Sequence, residues 1–174
     1  MSKYIIGITG ASGSIYGLRL IEELLSRQHQ VMVTITDAGR RVIEHEVGWK
    51  LIGKASEIES NLKYYIKSDK KSNNLFYFDI QDVGAIIASG SVKTDGMIII
   101  PCTMSAVSAI AQGASSDLLE RAADVTIKER RNLIVVPREA PLSQIHLRNL
   151  LTLSQMGVHI MPPMTAFYFK PQTI

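Results

Sequence analysis

A glycine-rich segment near the amino terminus has the residue types and spacing that bind a phosphate group. Gly10, Gly13 and Gly17 lie between a predicted strand and a predicted helix, and Ser12 and Ser14 add hydroxyl groups. Backbone N–H groups and the helix dipole converge on an anion in such a loop. The spacing is neither the G-x-G-x-x-G of dinucleotide folds nor a P-loop, so a mononucleotide is favoured over NAD. A plain turn between strand and helix is the alternative interpretation.

A predicted helix over residues 117–128 carries two cations on one face. Arg121 and Lys128 are seven residues apart, with Asp124 between them. This spacing is two helical turns, so the side chains lie on the same side of the helix. A guanidinium and an ammonium can together clamp a phosphate dianion. The charge pattern alone favours the other interpretation, a surface ladder of ion pairs.

Two further polar segments directly follow predicted strands. Arg138 and Glu139 lie between two prolines after the strand at 133–136, and residues 101–106 follow the strand at 97–100. Open α/β folds bind ligands at the carboxyl edge of their parallel sheet. Arg138 could hold an anion there while Glu139 transfers a proton, although a simple loop ion pair fits equally well. The hydroxyls and amides of residues 101–106 form a second polar cradle.

Apolar runs alternate with helical patterns and predict the elements that position these residues. The expected strands cover residues 4–9, 31–36, 75–78, 97–100, 133–136 and 158–161. The expected helices cover residues 16–28, 36–46, 105–112, 117–128 and 146–156. This alternation predicts one domain with a three-layer, doubly wound parallel sheet of the Rossmann-like or flavodoxin-like α/β type. The polar segment 54–80 is interpreted as an excursion from the sheet with a short edge strand at 75–78, and residues 57–80 within it as a surface elaboration.

The composition excludes several classes of function. The single cysteine, Cys102, forms neither an internal disulfide nor a zinc site by itself, and it is predicted to be a small buried side chain. The net charge of +3 and the scattered basic residues do not indicate nucleic-acid binding. The apolar runs are too short to span a bilayer, and the first residues do not resemble a signal peptide. We therefore expect no metal, no membrane association and a cytoplasmic location.

In combination, these segments closely resemble the UbiX/Pad1 flavin prenyltransferases, in the superfamily of homo-oligomeric flavin-containing Cys decarboxylases. The matching segments are TGASG at 9–13, YG at 16–17, SGS at 89–91, PCT at 101–103, ERAADVTIKERR at 120–131, PREAP at 137–141 and FYFKPQ at 167–172. The resemblance implies transfer of a dimethylallyl group from dimethylallyl monophosphate to N5 and C6 of reduced FMN. The prenylated FMN would serve a partner UbiD-type decarboxylase. The resemblance also implies a metal-independent dodecamer with its site at subunit interfaces.

The resemblance also assigns site residues, and residues 1–174 would form one flavin-binding domain. We place the phosphate of FMN at the segment 9–17. The implied FMN contacts are Gly10, Ala11, Ser12, Thr36, Thr103, Met104, Ser105, Ala106 and Arg138. The implied contacts of dimethylallyl phosphate are Arg121, Lys128, Glu139 and Tyr168. The implied catalytic residues are Ser12, Glu46, Lys128 and Glu139.

The sequence departs from the family pattern at its carboxyl end. Family members continue into a helix that bears a further phosphate-binding arginine, whereas this sequence stops at Ile174. That helix is expected to be missing or not included. Two alternative functions remain, a flavin-dependent decarboxylase of aromatic or cysteinyl acids and a flavin-binding regulatory subunit without catalysis. Glu46 and residues 89–91 stand where the decarboxylase branch has a histidine and a different loop. The presence of Arg121, Lys128, Arg138 and Glu139 together argues against a regulatory subunit that only binds flavin.

Overall fold

The computed structural model of the chain describes residues 1–66 and 72–164. Its strands are β1 Lys3–Ile8, β2 Gln30–Ile35, β3 Leu75–Tyr77, β4 Gly96–Cys102, β5 Leu133–Pro137 and β6 His159–Ile160. Its α-helices are α1 Ser14–Ser26, α2 Asp37–Val47, α3 Ala55–Tyr65, α4 Met104–Ala111, α5 Leu118–Lys128 and α6 Gln144–Gln155. Short 3₁₀ turns cover Ser72–Asn74 and Ile86–Ala88. Within this described part, no helix combines the length and apolar character needed to cross a bilayer.

The six strands form one parallel sheet in the order β3-β2-β1-β4-β5-β6. This order is that of the Rossmann-type doubly wound sheet, and it confirms the predicted α/β fold. The apolar runs form strands because both faces of the sheet are covered. Ile5 and Ile6 are neighbours in β1 and point into different cores, yet both are fully buried.

Helices cover the sheet in two layers. Buried side chains of α1, α2 and α3 pack on one face, and those of α4, α5 and α6 pack on the other. Side-chain oxygens cap four of the helices at their amino termini, at Thr36 for α2, Thr103 for α4, Asp117 for α5 and Ser143 for α6. Each cap accepts a hydrogen bond from a backbone N–H that the helix leaves unpaired. The predicted helix from Thr36 to Glu46 is confirmed, with one residue added at its end.

The interpretation of residues 57–80 as a surface elaboration is wrong over its first part. These residues form α3, in which Ile58 and Leu62 are 0% exposed and pack in the same core as α1 and α2. The carboxylate of Glu59 also accepts a hydrogen bond from Tyr77 N at 2.9 Å, which holds the predicted edge strand β3. A helix that buries so few of its residues leaves only a weak apolar period in the sequence, which explains the error.

Two glycines allow the helices to approach the sheet closely. A Cβ at Gly17 in α1 would lie 2.3 Å from the carbonyl oxygen of Ile100 in β4. A Cβ at Gly10 would lie 2.5 Å from Cβ of Ala38 in α2. Both separations are well below van der Waals contact. The spacing of these glycines therefore serves packing around the loop as well as the conformation of the loop itself.

Candidate functional site

The candidate site lies at the point where the strand order reverses. β1 and β4 are neighbours in the sheet, but the chain leaves β1 toward one helical layer and leaves β4 toward the other. A crevice opens at the carboxyl ends of such a pair of strands, where doubly wound proteins bind their ligands. The glycine-rich loop follows β1, and residues 103–106 follow β4. The two polar cradles predicted from the sequence therefore flank one crevice.

Thr9 joins the two cradles. Its hydroxyl donates a hydrogen bond to the Pro101 carbonyl at 2.9 Å and accepts one from Thr103 N at 2.8 Å. Its own N–H also donates to the Pro101 carbonyl at 3.2 Å. The side chain is 2% exposed, so these bonds are shielded from water. Thr9 consequently links the first residues of the glycine-rich loop to the start of α4.

The amides of the glycine-rich loop hold a carboxylate of the chain itself. Gly13 N donates to both oxygens of Glu46 at 3.1 Å, and Ser14 N donates to Oε2 at 2.9 Å. The hydroxyl of Ser14 donates to the same Oε2 at 2.7 Å. Glu46 lies in the last turn of α2, and its charge faces the positive end of the α1 dipole. While Glu46 occupies them, these two amides are not free to bind the phosphate that we expected there.

Hydrogen bonding keeps the Glu46 carboxyl ionised. Burial acts to raise its pKa, but the hydroxyls of Ser14 and Ser12 and the N–H groups of Gly13 and Ser14 together lower the pKa to about 2. Hydrogen bonds to the charged form have this effect on any carboxyl. Glu46 therefore carries a full negative charge at neutral pH. It can stabilise positive charge or accept a proton, but it has none to donate.

A pocket of about 580 Å³ opens beside this carboxylate. Its polar lining comes from Ser12, Glu46 and Arg138, and its apolar lining from Ile15, Tyr16 and Val47, with Gly13 and Pro163 completing the wall. The fold thus brings the glycine-rich loop, the end of α2 and the turn after β5 together. An anionic group, a cationic group and an apolar wall in one pocket suit a ligand that is part charged and part hydrocarbon.

The cations of α5 line a different groove. Arg121, Asp124 and Lys128 border a groove of about 410 Å³ together with Ser89 and Gly90. Among the described residues, no ion pair joins Asp124 to either cation, and Lys128 instead lies 3.2 Å from the carboxylate of Glu129. The predicted ladder of ion pairs is therefore not formed. Arg121 and Asp124 are both exposed and line the groove.

The matched family and the relatives identify the chain. Residues 1–172 match the protein-family model described as Flavoprotein. The chain is 46% identical to "Flavin prenyltransferase UbiX" of Halalkalibacterium halodurans over 98% of this chain and 80% of the relative. It is 45% identical to the protein of the same name from Chlamydia pneumoniae over 100% of this chain and 85% of the relative.

The chain belongs to the UbiX flavin prenyltransferase family.

Solved structures of the family share this fold. A structure described as AnUbiX (PadA1) in complex with FMN and dimethylallyl pyrophosphate has a TM-score of 0.86 at 34% identity, covering 99% of this chain and 84% of that one. A dodecameric FMN-dependent UbiX-like decarboxylase from Escherichia coli O157:H7 has a TM-score of 0.84 at 39% identity, covering 99% of this chain and 85% of that one. The predicted family resemblance is confirmed.

The structure describes all but one of the other residues that the UbiX resemblance assigned. Thr36 caps α2, and its oxygen accepts from Gly39 N at 3.0 Å. Ala11, Met104 and Ala106 are buried, whereas Ser105 is exposed. Glu139 is exposed, and its carboxylate accepts from the N–H of the adjacent Ala140 at 3.1 Å. Tyr168 lies outside the described residues.

Cys102 has the environment that the sequence predicted. It is 0% exposed, and burial raises the pKa of its thiol to about 12. A thiol in this state is a poor nucleophile, because the thiolate is the reactive form. In residues 1–66 and 72–164, no cluster of three or more histidine, cysteine, aspartate or glutamate residues could hold a metal ion.

Sequence reasoning did not find the partners of two residues that shape the crevice. Ser14 was noted only as a possible phosphate donor, and its partner Glu46 lies 32 residues away. Thr9 was seen only as part of a motif, and its partner Thr103 lies 94 residues away. The one signal available was that both hydroxyl residues border the glycines. The identity of their partners depends on the order of strands in the sheet.

Proposed function

We propose that this protein is a flavin prenyltransferase that transfers a dimethylallyl group from dimethylallyl monophosphate to N5 and C6 of reduced FMN. The observation that carries the proposal is the pocket at the strand-order reversal, where ionised Glu46 and the Arg138 guanidinium share a wall with apolar side chains. The membership of the UbiX family over almost the whole chain agrees with this chemistry. The product is prenylated FMN.

Residues on both sides of the crevice would hold FMN, and the start of α4 would bind its phosphate. Two amides of the glycine-rich loop are engaged by Glu46, whereas the α4 amino terminus presents the positive end of a helix dipole. Arg138 lies next to this terminus, since its N–H donates to the Cys102 carbonyl at 3.3 Å. The guanidinium of Arg138, which lines the pocket with Ser12 and Glu46, could then pair with a phosphate dianion at this terminus. Gly10, Ala11, Ser12 and Thr36 would then contact the remainder of FMN.

The reaction requires that a phosphate leave without a metal ion. When the C–O bond of the donor breaks, the phosphate keeps the electron pair, and cations must neutralise its growing charge. Arg121 and Lys128 provide two cations on one helix face, and Glu139 would supply a proton to the departing phosphate. Tyr168 would complete this cluster. Reduced FMN, when bound, would supply the electron-rich N5 and C6, which each lose a proton as the C–N and C–C bonds form; one proton would pass to the alkene of the dimethylallyl group and the other to the phosphate.

The protein-derived part of catalysis is placement and electrostatics. Ile15, Tyr16 and Val47 form an apolar wall that would shield the dimethylallyl group from water. The Glu46 carboxylate, held rigid by Ser14 and two amides, stabilises positive charge that develops on that group. Ser12 lies in the same pocket and would orient the acceptor.

The complete site is assembled from more than one subunit. The groove with Arg121 and Lys128 shares no lining residue with the pocket that contains Ser12, Glu46 and Arg138. A homo-oligomer could bring the groove of one copy to the pocket of another, and the E. coli relative is described as dodecameric. The outer side of α6 supports association, because Leu147 and Leu151 are 54% and 58% exposed and one turn apart. We propose a dodecamer for this chain too.

Three broader features are part of the same proposal. The product would pass to a UbiD-type decarboxylase, which requires prenylated FMN. The reaction would take place in the cytoplasm, and residues 1–174 would act as one flavin-binding domain. A decarboxylase acting directly on an aromatic or cysteinyl acid is the second candidate, because the E. coli structure carries the description of a decarboxylase.

One experiment separates these candidates. The protein is incubated without oxygen with reduced FMN and dimethylallyl monophosphate, and the released flavin is analysed by mass spectrometry. We expect a flavin heavier by one five-carbon prenyl unit, and a parallel reaction with the diphosphate defines the donor. Release of carbon dioxide from an aromatic or cysteinyl acid, with unchanged flavin in the first reaction, would support the decarboxylase instead.

A further inference from the structure

We propose that Thr9 is a positioning residue that sets the separation between the two halves of the FMN site. The inference rests on the proposed function only in that FMN is the ligand of the crevice. It concerns a residue to which no catalytic or binding role has been given above. Its basis is the set of hydrogen bonds that Thr9 makes between the loops after β1 and β4.

Thr9 lies just beyond the last paired residues of β1 and β4. The β1–β4 pairing ends at Gly7 and Ile99, just before the two chains separate to open the crevice. Pro101 has no N–H and can only accept, and its carbonyl accepts from both the N–H and the hydroxyl of Thr9. The hydroxyl then accepts from Thr103 N, two residues further along. A side chain thus continues the connection at the place where regular strand pairing stops.

The hydroxyl of Thr9 has a defined orientation because it both donates and accepts a hydrogen bond. A threonine hydroxyl has one proton to donate, and that proton goes to Pro101 while a lone pair accepts from Thr103. Burial of the side chain means that water does not replace either bond. Shifting one loop relative to the other would break at least one of these bonds and leave a buried polar group unpaired.

The two loops that Thr9 connects carry most of the proposed FMN contacts. Gly10, Ala11 and Ser12 follow it directly, and Thr103 opens the segment that ends at Ala106. Thr103 also caps α4, since its oxygen accepts from Ala106 N at 3.2 Å. Fixing the N–H of Thr103 therefore fixes the helix terminus at which we place the phosphate. Thr9 itself is too buried to contact FMN, so it acts through these neighbours.

Two substitutions of Thr9 test the contribution of its hydroxyl group separately from that of its branched shape. Thr9→Val keeps the branched shape but can neither donate to Pro101 nor accept from Thr103. Thr9→Ser keeps the hydroxyl and loses only a methyl group. We expect Thr9→Val, which loses both hydrogen bonds of the hydroxyl, to raise the Kd for FMN by about ten-fold, and Thr9→Ser to keep an affinity close to that of the wild type.

The matched control is Thr126→Val. Thr126 is also buried, and its hydroxyl donates to the Ala122 carbonyl at 2.7 Å within α5, outside the two loops. We expect this variant to lose thermal stability as Thr9→Val does but to bind FMN as the wild type does. The KM for dimethylallyl monophosphate at saturating FMN should stay within about two-fold in Thr9→Val, because the groove for the donor is elsewhere.

The test is a fluorescence titration of the full chain with oxidised FMN, followed by thermal unfolding of each variant. Wild-type affinity in Thr9→Val, or an equal loss in Thr9→Ser, would overturn the proposal. If Thr9→Val does not fold, Thr9→Ala against Thr9→Ser makes the same comparison. FMN binding without prenyl transfer by the wild type would refute the proposed reaction but leave the role of Thr9 measurable. A wild type that does not bind FMN would refute both.

Discussion

The hydroxyl of Ser14 donates a hydrogen bond to Oε2 of Glu46 at 2.7 Å and so joins the first residue of α1 to the last turn of α2. The two residues are 32 positions apart in the chain. Together with the amides of Gly13 and Ser14, this bond turns a loop that looks like a phosphate cradle into a clamp for a carboxylate. The charge of Glu46 is thereby fixed at the edge of the pocket.

Replacing Ser14 by alanine should raise the pKa of Glu46 from about 2 toward its ordinary value of 4.5. The hydroxyl stabilises only the charged carboxylate, so its loss favours the protonated form. An NMR titration of the glutamate carboxyl carbons measures the change. Ser60→Ala is the control, because the Ser60 hydroxyl donates to the Ser56 carbonyl within α3 and not to Glu46. An unchanged titration of Glu46 in Ser14→Ala would show that the two amides and the Ser12 hydroxyl are sufficient to lower its pKa.

Glu46→Gln should destabilise the fold in a pH-dependent manner. The folded pKa of about 2 is below the ordinary 4.5, so ionised Glu46 contributes stability above pH 4.5 that is lost as the pH falls toward 2. Solvent reaches this carboxylate, so we expect a difference in the free energy of unfolding of only about 1 kcal/mol at pH 7. Urea denaturation at pH 7 and pH 3 measures it. A difference that does not shrink at pH 3 contradicts this account.

Lys128→Ala should slow prenyl transfer and leave FMN binding intact. Lys128 lines a groove that is separate from the pocket beside Glu46. It would therefore act on the departing phosphate and not on FMN binding. Loss of one cation that stabilises developing charge should lower kcat/KM by about a hundred-fold. The measurement is the rate of flavin conversion, with the Kd for FMN determined in parallel. Lys63→Ala, which removes a surface ion pair with Glu59, is the control. A large loss of FMN affinity in Lys128→Ala would refute this assignment.

Gly17→Ala should destabilise the protein by about 1–3 kcal/mol, a typical range for overpacking a core. Its new Cβ would lie 2.3 Å from the Ile100 carbonyl oxygen, which is backbone and cannot rotate away. Gly84→Ala is the matched control, since its Cβ would meet nothing nearer than 3.6 Å and should change stability by less than about 0.5 kcal/mol. Chemical denaturation measures both. Equal stabilities of the two variants would mean that α1 can shift away from the sheet without cost.

Leu151→Glu should disrupt the assembly. Leu147 and Leu151 form an apolar patch on the outer side of α6, and a carboxylate buried at a subunit contact carries a high desolvation cost. Sedimentation velocity should show smaller species than the wild type, and prenyl transfer should fall with the loss of the large species. Ile52→Glu is the control, because Ile52 is 66% exposed in the loop between α2 and α3 on the other side of the sheet. An intact assembly in Leu151→Glu would exclude this face as a contact.

The sequence itself contained the layout of the fold. Continuous apolar runs such as residues 31–36 predict strands that are buried on both faces, and the helical period of residues 16–28 predicts the crossover that follows β1. Thr36 predicts a helix start because a threonine oxygen can pair with a free backbone N–H. These are local signals, each contained within one element. These signals also predict that the site lies at the carboxyl edge of the sheet, since parallel strands end on the same side.

The tertiary structure decided which of these residues meet. It showed that α3 is part of the core, although its few apolar positions gave little period in the sequence. It showed that Glu46 accepts hydrogen bonds from the amides of the glycine-rich loop and that Thr9 bonds to Thr103. It also showed that Arg121 and Lys128 line a separate groove. Contacts between residues 32 to 94 positions apart depend on the strand order and on how closely helices approach the sheet. Local periodicity carries no information about either, because it records only which side of an element is buried.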